Sequence, residues 1–327
     1  WGIRIPVWYS VKENPDLEIT FINKEGDKKF GKISEFKKES LDEIEKGLQS
    51  VRASATAKYV LSDKKPKGDY LPETDTFDTW FSSGQWPLVT LKESEFNTRF
   101  PTDTLGTLSD ILKFWVSRMI MFSVYLKKEI PFKNVYLWSM VADAKGVKMS
   151  KSKGNVINPL DLVEKYGADA LRMSLMYGTP AGSKVVLSDD KVRAMRNFAN
   201  KVWNIGRFIE LNIKDKKFKT NEIDHELSNE LEELVKLTTD DLENFKLNSA
   251  SERVYDFLWN KLASKYLEEN KNRIIEQDQK AQMTLWVTFN TCLKLLHPFM
   301  PFVTETIYQE LFSKGENDLL INSSWPK

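Results

Sequence analysis

Cysteine and histidine are scarce in this sequence. The single cysteine, Cys292, excludes an internal disulfide and any cysteine-based zinc site, and it fits a reducing cytoplasm. The two histidines, His225 and His297, lie far apart along the chain. Metal coordination therefore has little to build on, and we expect no zinc and no resident metal ion.

Long apolar runs are missing as well. No stretch approaches the roughly 20 consecutive apolar residues that a membrane helix needs. The first residues lack the charged and apolar segments of a signal peptide. We therefore expect a soluble, cytoplasmic globular protein without a membrane partner. Because the chain starts with Trp1, inside an alternating pattern typical of a strand, we interpret it as a fragment of something longer.

Neither sign of charge is in excess, since the net charge is only +1. The distribution is nevertheless uneven. Residues 189–219 hold nine Lys/Arg and four Asp/Glu, whereas residues 220–244 hold nine acidic residues and one lysine. A basic patch beside an acidic one can orient a polyanion, although two ordinary solvated helix faces would look the same.

The first 86 residues are predicted to form short strands and turns. A strand is expected at 17–22, a turn at 23–27 and a returning strand at 30–33. Helical spacing follows at four apolar positions: Leu41, Ile44, Leu48 and Val51. Residues 63–69 are predicted to be a loop. This pattern indicates a small α+β insertion at about residues 10–73.

The middle of the chain alternates between helix and strand. Apolar residues spaced by three and four predict a buried helix from Thr107 to Leu126, ending near Lys127 and Lys128, and a strand follows from Asn134 to Met140. After a glycine-flanked loop, two helices are expected at 159–166 and 168–177. Strand, glycine loop and helix in this order are typical of the last unit of a doubly wound α/β sheet.

Strand patterns mostly vanish after Ser188. Helical periodicity predicts an all-α bundle of five helices, with apolar spacing at residues 195–209, 231–242, 250–270, 279–296 and 302–311. The expected architecture is therefore an α/β, Rossmann-like part at residues 1–187, followed by a helical bundle at residues 188–327.

The most specific pattern is a lysine loop between Gly146 and Gly154. Four lysines and no acidic residue lie between Lys145 and Lys153. Such a loop can bring its backbone close to phosphates and place ammonium groups on the charge that develops on a leaving pyrophosphate. Most lysine-rich surface loops are only solvated, so charge alone leaves both interpretations open.

The string Lys148-Met149-Ser150-Lys151-Ser152 resembles the second signature of the class I aminoacyl-tRNA synthetases, and Gly154-Asn155-Val156-Ile157-Asn158-Pro159 resembles its continuation in that family. The segments around 1–6, 78–84 and 110–119 resemble the valyl branch. The resemblance covers most of the chain and is weakest between Ser10 and Glu73. It implies that the loop binds ATP, with Lys148 and Lys151 as catalytic lysines and Lys151 contacting the phosphates.

The resemblance also implies an amino-acid pocket walled by Trp80, Ile111 and Trp115. Two indoles and a branched aliphatic side chain can enclose a small dry space that accepts an isopropyl group. A hydrophobic pocket cannot strongly reject threonine, an isostere of valine that carries a hydroxyl. The family adds a separate editing domain for this purpose, and we find none in the sequence.

Two features depart from the family pattern. The His-Ile-Gly-His-like signature that holds ATP has no candidate, because both histidines fall in the helical region. The resemblance makes Asp110 a ribose ligand, but Leu108 stands where the family has glycine, which costs space and backbone freedom. We therefore expect the missing N-terminal half of the enzyme to supply the rest of the ATP site.

The helix after Ser188 carries polar and basic residues opposite its apolar stripe, which suits the phosphates of an RNA stem. The residues predicted to bind tRNA are Arg193, Arg196, Lys201, Asn204 and Arg207. A solvated helix face is the ordinary alternative. In the valyl branch the corresponding bundle recognises the anticodon stem and loop, which favours tRNA.

The sequence thus predicts part of an enzyme that activates L-valine with ATP and Mg²⁺ and transfers it to tRNA-Val. Two alternatives stay open. One is a relative serving isoleucine or leucine. The other is a non-catalytic tRNA-binding module, or one chain of a split enzyme.

Overall fold

The computed structural model describes residues 2–143, 145–150, 152, 154–214, 218–219 and 222–327. The chain packs as two compact units. The first unit comprises Trp1–Thr104 and Asp110–Asn134, and the second unit comprises Leu105–Ser109 and Val135–Lys327. The sequence-based boundary between residues 187 and 188 stays a prediction.

Six short strands in the first unit form two antiparallel sheets. They are β1 (Val7–Ser10), β2 (Glu18–Ile22), β3 (Lys28–Lys32), β4 (Leu48–Arg52), β5 (Tyr59–Leu61) and β6 (Tyr70–Pro72). The strand orders are β5-β1-β6 and β3-β2-β4. The predicted hairpin of β2 and β3 is confirmed, and its buried side chains Ile19 and Phe21 belong to a small core of their own. Before β1, an isolated bridge joins Arg4 to Thr76, and the strand of the described residues begins later than predicted.

The predicted helix over 41–51 is wrong in its second half. Helix α1 (Leu41–Gly47) ends where β4 begins. At Gly47 the backbone passes so close to β2 that an added Cβ would lie 1.9 Å from the carbonyl oxygen of Ile22. Val51 then pairs with Ile19 across the sheet. Of the four apolar residues whose spacing predicted one helix, Leu41 and Ile44 therefore lie in a helix, while Leu48 and Val51 lie in a strand.

Three short helices follow: α2 (Thr79–Ser83), α3 (Trp86–Val89) and α4 (Glu93–Arg99). Next come β7 (Thr102–Thr107), a 3₁₀ turn (Ser109–Ile111), a π-helical segment (Leu112–Val116), α5 (Ser117–Lys127) and β8 (Phe132–Leu137). The predicted helix over 107–126 is thus confirmed in most of its length, and it ends at Lys128 in a left-handed conformation. Its predicted burial is only partly right, because Met119 is buried while Tyr125 is 74% exposed.

Strands β7 and β8 pair around the helical crossover between them. The amide of Thr102 donates to Pro131 and that of Trp138 to Thr107, so both strands run in the same direction. The predicted strand over 134–140 is split between β8 and β9 (Met140–Ala142), and β9 pairs in parallel with β10 (Lys184–Val186). Between β9 and β10 lie α6 (Pro159–Tyr166) and α7 (Ala168–Met176), both as predicted. The α/β class is therefore confirmed.

The described part of the remaining chain is mainly helical, as predicted. Its helices are α8 (Asp189–Asn212), α9 (His225–Glu243), α10 (Leu247–Asp256), a π-helical stretch (Phe257–Leu267), α11 (Glu268–Ile275), α12 (Gln279–Leu296), α13 (Pro301–Leu311) and a 3₁₀ turn (Leu320–Asn322). The segments from α10 to α11 follow one another without a break. Leu162, Met173 and Leu187 belong to the same hydrophobic core as the bundle. None of the described helices has the length and apolar character to cross a membrane.

Candidate functional site

The lysine loop lies in the second unit, between β9 and α6. Lys148 is exposed and pairs as an isolated antiparallel bridge with Ala142, the last residue of β9. Met149 is half-buried and packs against the large core, as does Ile157 after the loop. Hydrophobic contacts thus anchor the loop at Met149, between two of its lysines, and again at Ile157, beyond the last lysine. The predicted catalytic residue Lys151 lies outside the described residues.

Two polar residues at the base of the loop were not predicted from the sequence. The carboxylate of Asp143 accepts hydrogen bonds from the backbone amides of Lys145 at 3.0 Å and Val147 at 2.9 Å. It also accepts one from the side-chain amide of Asn155 at 2.8 Å. Several hydrogen bonds hold the pKa of Asp143 below its usual range, and the one from Asn155 has the largest effect. Asp143 is therefore an anion at neutral pH.

The serines of the loop are linked to each other and to its base. The amide of Ser150 donates to the side-chain oxygen of Asn155 at 3.0 Å. The hydroxyl oxygens of Ser150 and Ser152 lie 3.2 Å apart. Both glycines of the loop have the left-handed conformation, with φ of 74° at Gly146 and 65° at Gly154. The ATP contacts of Lys148, Met149, Ser150 and Ser152 stay predictions.

The residues predicted to wall the amino-acid pocket lie in the first unit, where α2 meets the π-helical segment. The ring of Trp80 stacks on Phe114 with centroids 5.6 Å apart. The indole N–H of Trp115 donates to the carbonyl of Ser83 at 2.8 Å. Ile111 is half-buried one residue before the segment. Both indoles are therefore fixed at one helix junction, while their role as pocket walls stays a prediction.

This junction is closely packed at Gly84, where there is no room for a side chain. An added Cβ there would lie 2.8 Å from two ring atoms of Phe122 on α5. The ring of Phe81 meets Phe122 edge to face, with centroids 5.3 Å apart. At the other end of α2, the carboxylate of Asp78 accepts the amide of Trp80 at 2.6 Å and caps the helix. The short segment that resembles the valyl branch is thus held at both ends.

Asp110, the predicted ribose ligand, is exposed in the 3₁₀ turn that follows β7. This position at the carboxyl end of a parallel strand is where α/β sheets bind ligands. The preceding Leu108 is half-buried, and Gly106 lies farther back, inside β7, against the indole of Trp138. The ribose contact of Asp110 stays a prediction.

Helix α8 presents the predicted tRNA-binding residues on one side. Arg193, Arg196, Asn204 and Arg207 are exposed, and Lys201 is half-buried at the edge of this face. Arg193 pairs with Asp190. The guanidinium of Arg196 lies 5.7 Å from the ring centre of Tyr166, and the ammonium of Lys201 lies 5.3 Å from that of Trp259. Aromatic contacts thus hold two of the cations without neutralising their charge.

Near the end of this face, a cavity of about 260 Å³ lies between α8 and α13. Arg207 and Glu210 line it together with Trp203, which is 39% exposed. Trp203 was not predicted as a site residue, although an aromatic side chain next to basic residues is a known feature of RNA-binding surfaces. Among the described residues, no group of three or more His, Cys, Asp and Glu side chains could hold a metal ion.

Comparisons with known proteins identify the family. Residues 1–188 match the family of class I tRNA synthetases described as "I, L, M and V", and residues 224–327 match the anticodon-binding domain of tRNA ligases. The chain belongs to the class I aminoacyl-tRNA synthetases.

Within that family, the similar curated proteins are valine–tRNA ligases. That of Clostridium tetani is 38% identical over 100% of this chain and 34% of its own length, and that of Pelagibacter ubique is 38% identical over 100% and 35%. The chain therefore spans about a third of the relatives it matches. A crystal structure of an Agrobacterium radiobacter K84 LeuRS–tRNA–LeuAMS ternary complex matches with a TM-score of 0.68 and 21% identity, covering 100% of this chain and 41% of that one. This likeness supports the fold.

Proposed function

We propose that this chain is part of a valine–tRNA ligase, which activates L-valine with ATP and transfers it to tRNA-Val. The observation that carries the proposal is the lysine loop, seated between β9 and α6 in a chain whose whole length is similar to valine–tRNA ligases. This protein would work in the cytoplasm, where translation takes place.

In this proposal, Lys148 and Lys151 place positive charge against the phosphates of ATP, and Mg²⁺ enters with the nucleotide. Charge moves toward pyrophosphate in the transition state, so a fixed ammonium group stabilises that state more than the bound substrate. Trp80, Ile111 and Trp115 would exclude side chains larger than an isopropyl group, and Asp110 would bind the ribose. The chain's own contribution is thus charge stabilisation and side-chain selection.

The tRNA would lie along α8. Its exposed cations suit phosphates, and the groove beside Trp203 offers a ring on which a base can stack. This binding would weaken with salt, because each phosphate contact releases a counterion.

The rest of the ATP site would come from the N-terminal half of the enzyme. Both histidines, His225 and His297, belong to the helical region, so this chain supplies no histidine signature for ATP. We therefore expect the isolated chain to bind tRNA without aminoacylating it. Valylation by the purified 327-residue chain would refute this division of labour.

The test of the function is amino-acid-dependent exchange of pyrophosphate into ATP by the complete enzyme. Valine should support exchange far better than isoleucine or leucine. A preference for either of those would assign the chain to another branch of the family. If none of these amino acids supports exchange, but the chain binds tRNA in a salt-sensitive way, the result would favour a non-catalytic tRNA-binding module.

A further inference from the structure

Two polar side chains, Asp143 and Asn155, meet at the base of the lysine loop. Asp143 precedes the loop and Asn155 follows it, twelve residues apart, yet their side chains meet at 2.8 Å. The loop between them contains two glycines in the left-handed conformation, Gly146 and Gly154. The pair thus joins the two ends of the loop.

The contacts of the pair reach both arms of the loop. On the first arm, the Asp143 carboxylate accepts the amides of Lys145 and Val147, while its main chain exchanges two hydrogen bonds with Gly146 and Val147. On the far side, the Asn155 side chain accepts the amide of Ser150 at 3.0 Å and donates to the carbonyl of Lys148 at 3.3 Å. Asn155 thus contacts the backbone of the first signature lysine, Lys148, while Asp143 holds the residues that precede it.

A carboxylate so close to a loop that binds phosphates needs an explanation, because its charge opposes that of the ligand. The oxygens of Asp143 accept two backbone N–H groups of the loop and one side-chain N–H group of Asn155, and these hydrogen bonds compensate the charge locally. The remaining repulsion between the carboxylate and the phosphates is then offset, because the carboxylate fixes the conformation of the loop.

We propose that Asp143 and Asn155 form a positioning pair that fixes the shape of the lysine loop for its contact with ATP. The inference rests on the proposed function, since ATP is the ligand that the loop would meet. Neither residue needs to touch the nucleotide. Their effect is to present the signature residues as one preformed unit, which raises the rate of the chemical step rather than the affinity for valine.

The pair is exchangeable, which allows a sharp test. Asp143→Asn alone places two amide N–H groups face to face, and Asn155→Asp alone places two carboxylates face to face. The double swap restores the hydrogen bond with its direction reversed, and residue 155 still offers an oxygen to the amide of Ser150. Each single variant should lower the valine-dependent exchange rate of the complete enzyme by about tenfold, the worth of one good hydrogen bond. The swap should recover most of it.

A second Asp–Asn pair provides the matched control. The side chain of Asn158 donates to Asp161 at 2.8 Å at the start of α6, just beyond the loop. Asp161→Asn removes a carboxylate of the same kind from a contact of the same length, and we expect an unchanged exchange rate. The KM for valine should stay constant in all variants, because the pair acts on the loop.

Limited digestion of the 327-residue chain with trypsin gives a readout that needs no activity. The loop lysines should be cut faster in both single variants than in the wild type or the swap. Equal cutting and equal exchange rates in every variant, or a swap as impaired as the single changes, would overturn the proposal. If the wild-type enzyme shows no valine-dependent exchange, the proposed function fails, and faster cutting in the single variants would still establish that the pair holds the loop.

Discussion

Asp169 on α7 caps a helix other than its own. Its carboxylate accepts the amides of Val303 at 2.6 Å and Phe302 at 3.2 Å, at the first turn of α13. Met300, the residue before α13, provides no side-chain cap. Asp169 is only 7% exposed, and its removal would leave the amides of Phe302 and Val303 without this acceptor. We therefore expect Asp169→Ala to destabilise the second unit.

The magnitude follows from the lost contacts. A helix cap contributes about 0.5–2 kcal/mol, and a hydrogen bond to a charged group about 1.5–3 kcal/mol. Desolvation of the carboxylate opposes these gains, so a loss of roughly 2–3 kcal/mol is expected. In a unit of this size that corresponds to a decrease in Tm of roughly 4–12 °C. Asp169→Asn keeps one acceptor oxygen, and its loss should be about 1 kcal/mol.

The pH dependence provides an independent check. Burial raises the pKa of Asp169, against the opposing effect of its two backbone hydrogen bonds and of Arg172 and His297 nearby. A carboxyl whose pKa is higher in the folded than in the unfolded state stabilises the fold most at acidic pH, and this contribution is lost as the pH rises through the folded pKa. The stability difference between wild type and Asp169→Asn should therefore be larger near pH 4 than at pH 7.

Thermal and urea unfolding of the 327-residue chain, followed by circular dichroism, would measure both effects. The exposed pair of Glu226 and Lys265 supplies the control, because removing Glu226 should hardly change Tm. An Asp169→Ala variant as stable as wild type would refute the capping role. A difference from Asp169→Asn that grows with rising pH would refute the effect of burial.

Three further changes test other parts of the molecule. Asn14→Ala should cost the first unit about 3 kcal/mol by unfolding titration, because the buried amide exchanges hydrogen bonds of 2.7 Å with both backbone groups of Lys58; unchanged stability would contradict this. Gly84→Ala should cost about 1–3 kcal/mol, since its Cβ would meet the Phe122 ring at 2.8 Å, and Phe122→Leu in the same chain should recover part of the loss. Lys151→Ala in the complete enzyme should lower the rate of valine activation far more than valine affinity in single-turnover measurements; equal losses would argue against a transition-state role.

Periodicity predicted the long helices well because many turns repeat the same signal. The bounds 279–296 of α12 were predicted without error, whereas the spacing of Leu41 to Val51 covered too few turns to separate a helix end from a strand. Gly47 lies inside that pattern, and a glycine at this position indicates that the helix could end there. Strands β5 and β6 are three residues long, too short for any alternation to be recognised.

The residues of the candidate site that belong to a contiguous motif could be predicted from the sequence. Those that only the fold brings together could not. The lysine signature is contiguous, so its residues could be named at once. Asp143 and Asn155 are twelve positions apart, and only the fold brings them together. Their residue types were the available signal, since Asp and Asn side chains often bond to the backbone of nearby turns. Trp203 was missed because an aromatic residue on a helix is usually core, and its exposure appears only in the structure.

The hydrophobic core that α6 and α7 share with the bundle determines where the second unit can be cut. Side chains of α6 and α7, such as Leu162 and Met173, pack in the same cluster as Phe198 and Phe289 of the bundle. A bundle excised at residue 188 would leave that surface open to water and prone to aggregation. A fragment intended to contain the helical bundle should instead begin before α6, so that it includes the two helices that cover its hydrophobic core.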